Sequence, residues 1–144
     1  MQPNLRVLSP SRFLAISIGL VYFFFGILKF FPQLSPAEEL AKNTIHQLSF
    51  GLIPEQWAII ALAVLETLIG LMLLLNQRLR LAIYLALGHM VCTFTPLFFF
   101  PELAFTEAPY FPSLLGQYIG KNIIIVAALI SLLIQPVSPK KINA

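Results

Sequence analysis

The sequence predicts an all-α membrane protein: a bundle of four transmembrane helices with both termini cytoplasmic and a short amphipathic helix on the outer surface. Composition is the first observation, because 58% of the 144 residues are hydrophobic and 10% are charged. The mean hydropathy of +0.86 excludes a water-soluble fold. Second, the chain has four apolar runs of the roughly 20 residues that a helix needs to cross about 30 Å of hydrocarbon. Third, basic residues are distributed unevenly between the connections. We expect one membrane domain over residues 1–144.

The predicted spans cover residues 12–31, 54–75, 81–100 and 114–135. The first run follows Arg12 near the start of the chain, where a secretory signal is the alternative. The run is longer than such a signal, and no small-x-small cleavage pattern follows it. We therefore interpret it as a retained first span.

The connections alternate in charge along the chain. One side of the predicted bundle has six basic residues: Arg6, Arg12, Arg78, Arg80, Lys140 and Lys141. The other side has Lys42 as its one clearly extramembrane base, together with Glu38, Glu39, Glu55, Glu102 and Glu107. By the positive-inside rule the six-base side is cytoplasmic. An even number of spans places both termini on the same side, in agreement with these charges.

The connection between the first two spans predicts a short helix over residues 36–49 on the outer surface. Ser35 is a suitable N-cap, Pro36 suits the first helical position, and Glu38 completes a capping box. Glu38 and Lys42 have the four-residue spacing of a favourable ion pair. The apolar face consists of Ala37, Ala41, Ile45 and Leu48. The plainer alternative is a lid that only covers the end of the bundle.

The connection before the fourth span combines prolines with aromatic residues, a pattern typical of a stiff loop at the membrane interface. Its residues include Pro101, Phe105, Pro109, Tyr110, Phe111 and Pro112. We expect Ser113 to cap the fourth helix.

Four ionisable residues lie within the predicted spans: Lys29, Glu66, His89 and Lys121. Such residues cost at least about 2.5 kcal/mol at the middle of a bilayer, so they normally face the protein interior. At about 1.5 Å per residue, Glu66 lies about 18 Å from the outer end and His89 about 12 Å from the inner end. Each of the four shares a helical stripe with small or polar residues, whereas lipid-facing stripes consist of leucine and phenylalanine. We therefore expect all four to converge on one interior.

Each of these residues also has a plainer interpretation. Lys29 lies about 4 to 5 Å from the outer end, within reach of the outer headgroups. Glu66 is either a functional carboxylate or a structural partner of Lys121 that fixes the register of the bundle. His89 is either a functional group or a neutral histidine bonded to a backbone carbonyl. The sequence leaves these alternatives open.

Two positive charges, Lys29 and Lys121, are predicted above one carboxylate, Glu66. This arrangement favours a site for carbonyl oxygens or an anionic head group, with further hydrogen-bond donors from Tyr22, Tyr118 and Gln117. The chain has no nucleotide-binding, serine-hydrolase or haem-attachment motif, no HxxH or HxxE spacing for a metal, and no basic patch for nucleic acid. Its single cysteine, Cys92, excludes an intrachain disulfide and a CxxC pair. We expect Cys92 to be a small buried hydrophobe.

Three short motifs occur in order along the chain. They are Arg12, Gly19, Gly26, Lys29 and Phe30 in the first span, Leu65-Glu66 with Gly70 in the second, and the run Gly116-Gln117-Tyr118-Ile119-Gly120-Lys121-Asn122. Over residues 12–135 this series resembles the DoxX family of small four-span membrane proteins. The family is associated with subunits of quinone-linked sulfur-oxidising enzymes and with membrane redox complexes. The resemblance implies a redox association at the plasma (bacterial inner) membrane and adds Asn122 to the candidate site.

Three functions are compatible with these observations. The first is a membrane subunit of a redox system, with a redox partner protein or a homo-oligomer, that binds a quinone-like or other small amphipathic molecule. Its candidate ligand-binding residues are Glu66, Lys121, Lys29, His89, Tyr118, Gln117, Asn122 and Tyr22. The second is a non-catalytic scaffold or assembly factor for a membrane complex. The third is a small proton-coupled transporter with Glu66 and His89 as relay groups. No residue is assigned as catalytic, since the chain has no catalytic motif of its own. The sequence does not decide whether the protein binds a quinone cofactor or no cofactor.

Overall fold

The computed structural model describes residues 9–35, 38–107 and 111–134 of the chain. Four helical segments are long and apolar enough to cross a membrane: Pro10–Leu28, Glu55–Leu75, Leu79–Phe99 and Leu114–Ile134. The predicted all-α bundle of four spans is therefore confirmed, with ends that differ from the predicted ones by at most three residues. Several residues used in the predictions lie outside the described ranges: Arg6, Pro36, Ala37, Pro109, Tyr110, Lys140 and Lys141.

The start of helix α1 (Pro10–Leu28) is hydrogen-bonded to the end of the second span. The second span is labelled α3, because a shorter helix, α2, lies in the connection between the two spans. The guanidinium of Arg12 donates to the carbonyl of Leu73 at 3.0 Å and to the carbonyl of Leu74. Carbonyls in the last turn of a helix have no partner within that helix. Arg12 therefore caps α3 (Glu55–Leu75) from a neighbouring element.

Helices α1 and α3 run antiparallel in backbone contact, and two glycines make this possible. A methyl group on Gly70 would lie 2.5 Å from the backbone nitrogen of Phe23, and one on Gly26 would lie 2.6 Å from the backbone nitrogen of Thr67. Any larger residue would push the helices apart. Their contact therefore fixes the axial position of α1 relative to α3.

The third span consists of α4 (Leu79–Phe94) and the short α5 (Pro96–Phe99). It follows a tight turn in which Asn76 and Arg78 adopt left-handed φ angles of 56° and 46°. Pro96 lacks a backbone N–H and so cannot donate to the carbonyl of Cys92, which explains the interruption after α4, although Thr95 keeps helical φ and ψ angles of −59° and −31°.

The fourth span consists of α7 (Leu114–Gly120) and α8 (Ile123–Ile134), so the continuous helix predicted over 114–135 is interrupted. At the junction, the N–H of Asn122 bonds to the carbonyl of Ile119 at 3.0 Å, and the N–H of Ile124 bonds to the carbonyl of Lys121 at 3.1 Å. Both bonds span three residues instead of four, so the chain tightens locally. Non-helical backbone at membrane depth is tolerated where it borders protein or a cavity.

The connection before α7 contains α6 (Pro101–Ala104) and a two-stranded antiparallel pair, β1 (Phe105–Glu107) and β2 (Phe111–Pro112). The aromatic and proline pattern predicted a stiff loop here and did not predict the strands. The hydroxyl of Ser113 accepts from the N–H of Gly116 at 3.1 Å, which confirms the predicted cap.

Helix α2 (Glu38–Leu48) packs against α3 and α5 at one end of the bundle, called here the α2 end. The carboxylate of Glu38 accepts from the N–H of Gln33 at 3.0 Å and pairs with Lys42 at 2.8 Å. The hydrogen bond from Lys42 and that from Gln33 lower the pKa of Glu38. Glu38 thus links α2 to the chain that enters it.

Candidate ligand-binding site

A buried carboxylate lies deep within the bundle. Glu66 is on α3, about 16 Å along the helix from its first residue, Glu55. The Nζ atom of Lys29 lies 2.6 Å from Oε2 of Glu66, and the two side chains are only 9% and 7% exposed. The pair is therefore a buried salt bridge, in which each charge depends on the other for compensation.

Lys29 reaches this position because of where α1 ends. It is the C-cap residue of α1, and helical side chains tilt toward the N-terminus, so its long side chain turns back into the bundle. Its Nζ also donates to the carbonyl of Phe25 at 3.3 Å. The side chain of Lys29 therefore points into the bundle and does not extend to the outer headgroups. The structure also corrects the partner expected for Glu66, which pairs with Lys29 and not with Lys121.

His89 on α4 contacts the other oxygen of the same carboxylate. Its Nε2 lies 3.2 Å from Oε1 of Glu66, and its Nδ1 lies 3.2 Å from the hydroxyl of Tyr22 on α1. The Tyr22 hydroxyl is also within 3.1 Å of the carbonyl of Ala86. His89 therefore bonds to side chains from two other helices, unlike the plainer alternative of a ring bonded to a backbone carbonyl.

This chain of groups has two arrangements of protons. A tyrosine hydroxyl has one proton, which it donates either to the carbonyl of Ala86 or to Nδ1 of His89. In the second case His89 is neutral and donates from Nε2 to Glu66. In the first case Tyr22 accepts from Nδ1–H of His89. The position of the proton on the His89 ring is thus coupled to the direction of one hydroxyl.

A cavity of about 200 Å³ lies beside this network, between the network and α2. Most of its lining is apolar, and one wall is the face of α2 formed by Leu40, Ala41, Thr44, Ile45 and Leu48. Its polar lining on the other elements includes Tyr22, Lys29, Glu66, His89, Thr93, Tyr118, Lys121 and Asn122. An apolar cavity with a few convergent polar groups is typical of a small-molecule site.

Lys121 and Asn122 enter this lining from the α7–α8 junction. The Nζ atom of Lys121 lies 4.2 Å from the centroid of the Tyr118 ring, within the range of a cation–π contact. Lys121 is exposed, so the expected convergence of all four ionisable residues on one interior holds for Lys29, Glu66 and His89 and is wrong for Lys121. Lys121 forms no ion pair within the part of the chain that the structure describes. Asn122 is 9% exposed, and its side chain has no hydrogen-bond partner among the described residues.

The structure brings together seven of the eight predicted site residues. Four form the buried network and three line the cavity from α7 and the α7–α8 junction. The exception is Gln117, which is exposed and whose Nε2 donates to the carbonyl of Pro112 at 3.2 Å. Gln117 does not line this cavity, and its part in ligand binding stays a prediction. Cys92 was predicted incorrectly, since it is exposed.

Sequence reasoning missed the contribution of α2 to the cavity wall. Ala41, Ile45 and Leu48 were predicted to share a face, and that face lines the cavity. The amphipathic period was the available signal, but it does not tell which surface the face covers. Thr44 is the one buried residue of α2, and its polar side chain does not by itself predict burial. Its burial is possible because its hydroxyl donates to the carbonyl of Leu40 within the helix.

Among the described residues, no group of three or more histidine, cysteine, aspartate or glutamate side chains is arranged to hold a metal ion. Comparison of the chain with protein-family models, with curated proteins and with solved structures finds no match. The function is therefore inferred from the geometry of the cavity and its charges.

Proposed function

We propose that this chain is a DoxX-like membrane subunit of a redox system and that it binds a quinone-like or other small amphipathic molecule in the cavity. The observation that carries this proposal is the position of the cavity, which has the buried Glu66 network on one side and the apolar face of α2 on another. A polar head and an apolar body match these two walls.

The polar wall offers hydrogen-bond donors to a carbonyl-bearing head group. An ammonium has three donor hydrogens, so Lys29 keeps at least one beyond its bonds to Glu66 and Phe25. Lys121 and the amide of Asn122 are further donors. The volume of about 200 Å³ is below the roughly 300–1,000 Å³ usual for a drug-sized ligand. It suits a single ring or head group whose tail continues between the helices into the bilayer.

The resemblance to the DoxX family supports the redox association and a place in the bacterial inner membrane. With one cysteine in the chain, dithiol exchange within it is excluded, so electrons would pass through the ligand or a partner subunit. The positive-inside rule supports an orientation with Arg78 and Arg80 on the cytoplasmic side and the α2 end outside.

Purification in mild detergent, followed by native mass spectrometry and extraction of bound lipids, tests this proposal. We expect wild type to retain a specific small molecule or added decylubiquinone, a neutral quinone, and Glu66→Gln to lose it. Glu55→Gln is the matched control, because it makes the same change at an exposed position of the same helix. If all three preparations bind only bulk lipid, the redox-subunit proposal is wrong, and a scaffold whose buried charges fix packing is favoured.

A second candidate, a proton-conducting function, is favoured by one observation: the continuous bonded series of Tyr22, His89 and Glu66. Such a function predicts proton flux into liposomes that contain the purified protein. His89→Gln should abolish the flux, because glutamine does not carry a proton between the carboxylate and Tyr22. Flux equal to that of empty liposomes would reject this candidate and leave the first unaffected.

A further inference from the structure

We propose that the α7–α8 junction binds the anionic head of an amphiphile, a singly charged oxyanion on an apolar chain, with Lys121 and Asn122 as the residues that contact it. The inference rests on the proposed function, because it uses the same cavity, and it names the class of molecule that the cavity prefers.

Asn122 is the first observation. Its side chain is about nine-tenths buried, lines the cavity and has no hydrogen-bond partner among the described residues. Among the described residues, the fully enclosed side-chain polar atoms without a partner are limited to Thr67 Oγ1, so the amide atoms of Asn122 are open to the cavity. A bound oxygen atom would accept from the amide N–H of Asn122 and satisfy it.

Lys121 is the second observation. Its ammonium is held over the ring of Tyr118, at 4.2 Å from the ring centroid, and has no carboxylate partner in the described part of the chain. The cation–π contact leaves the ammonium hydrogens on the far side free to donate. Both side chains line the same cavity, and on this basis one oxyanion is inferred to contact both.

The charges of the lining favour an anion over a neutral head. Lys29 and His89 already occupy the two oxygens of Glu66, so that carboxylate is compensated without Lys121. With His89 neutral, Lys29, Lys121 and Glu66 sum to one positive charge. The uncompensated charge is that of Lys121, which is exposed, and one monoanion beside it would make the lining neutral.

An apolar wall completes the site for an amphiphile. Beyond the junction, Leu40, Ile45 and Leu48 of α2 offer an apolar surface to the chain of the amphiphile.

Electron paramagnetic resonance of the protein in phosphatidylcholine nanodiscs tests the inference. The probes are stearic acid with a nitroxide near the end of its chain and the methyl ester of the same molecule, compared at alkaline pH so that the acid is ionised. The two differ in the charge of the head group and by one methyl group. We expect the acid to bind wild type at least about tenfold more tightly than the ester, the difference typical of a hydrogen bond to a charged group.

Lys121→Gln should remove the preference for the acid, Lys121→Arg should retain it, and Asn122→Leu should weaken binding of the acid more than that of the ester. Arg80→Gln is the control, because it removes one positive charge from an exposed residue outside the cavity. A spin-labelled phosphatidylglycerol, set against phosphatidylcholine, tells whether the oxyanion comes from a phospholipid or from a free acid. A preference for either anion that depends on Lys121 supports the inference.

Equal binding of acid and ester by wild type, with no preference for phosphatidylglycerol, would overturn the inference. So would a preference that Lys121→Gln leaves intact. Neither result concerns the neutral quinone of the first experiment. A chain that binds decylubiquinone but shows no anion preference would contradict this inference alone, whereas the reverse result would contradict the quinone-like ligand alone.

Discussion

Removal of either partner of the Lys29–Glu66 pair would leave the other charge buried in the bundle. Each side chain is less than one-tenth exposed, so water cannot take the place of the lost partner. The cost of a buried charge without compensation exceeds the contribution of the intact pair, since desolvation of the pair offsets most of its attraction. The pair therefore matters more for the specificity of packing than for net stability.

We predict that Lys29→Met lowers the free energy of unfolding by about 3–5 kcal/mol, the range for breaking a buried pair. The double variant, Lys29→Met with Glu66→Gln, should lose less stability than the sum of the losses in the two single variants, because it has no buried carboxylate without a partner. Unfolding by sodium dodecyl sulfate in mixed micelles measures all three.

The surface pair of Glu38 and Lys42, whose side chains are 17% and 21% exposed, provides the comparison. Lys42→Met should change stability less than Lys29→Met, because ion pairs in contact with water contribute little. If the losses of the two single changes at Lys29 and Glu66 simply add, the two side chains do not interact in the membrane, contrary to the contact in the structure.

At the scale of the helices, backbone contact between α1 and α3 decides which side chains meet. Gly70 lies against Phe23 and Gly26 lies against Thr67, so the level of Lys29 along α3 is set by these two glycines. A shift of one helical turn would move the ammonium by about 5.4 Å and out of reach of Glu66. Packing and electrostatics are therefore linked through the smallest residues of the interface.

We predict that Gly70→Ala destabilises the protein by about 1–3 kcal/mol, the usual cost of overpacking, because its methyl group would lie 2.5 Å from the backbone nitrogen of Phe23. Gly88→Ala is the matched control, since a methyl group there meets no atom within 4 Å. It should leave stability unchanged or raise it by up to about 1 kcal/mol through helix propensity. Equal thermal midpoints for both variants in detergent would show that α1 and α3 are not in close contact.

Helix α2 depends on Glu38 for its attachment to the preceding chain. The pKa of Glu38 is lowered mainly by the hydrogen bond from Lys42 and also by that from Gln33. A lowered pKa means that this stabilisation is present above the ordinary glutamate value of about 4.3 and is lost as the pH falls through the lowered value. The pKa of Lys42 is raised by the same pair, so its contribution is lost only at alkaline pH, as the pH rises through the raised value.

We predict that α2 loosens on acidification below the ordinary pKa of glutamate. A nitroxide attached to Gln47→Cys in a Cys92→Ser background should become more mobile as the pH falls, because protonated Glu38 no longer attracts Lys42. The same label combined with Glu38→Gln should be mobile at neutral pH and insensitive to acid. An acid response that persists in that variant would assign the change to another group.

For the molecule as a whole, orientation in the membrane follows from charge. We predict that the α2 end faces outward and that the turn with Arg78 and Arg80 faces the cytoplasm. In spheroplasts carrying Cys92→Ser, a membrane-impermeant maleimide should label Gln47→Cys directly and Gln77→Cys only after permeabilisation. Both positions are exposed, so the comparison reports sidedness. The opposite labelling pattern would reverse the orientation.

The spans and the inward direction of Glu66 and His89 could be predicted, because both follow from hydrophobic length and helical period, which are local properties of the sequence. The partner of Glu66 could not, because it depends on the level of α1 along α3. The α7–α8 interruption was also missed, since no proline marks it; Gly120 was the available signal. Gln117 shares the stripe of Lys121 by helical period but does not line the cavity, because the period alone does not tell which surface a stripe faces.

Arg12 combines two properties. By the positive-inside rule we predict that its charge contributes to the orientation signal during insertion, before any tertiary contact exists. In the folded bundle its guanidinium is held by carbonyls of Leu73 and Leu74, at the negative end of the α3 dipole, where its charge is partly neutralised. An Arg12 variant would consequently change insertion and assembly together. Arg78 and Arg80, which form no side-chain hydrogen bond with described residues, are the positions at which topology can be altered while the fold is kept.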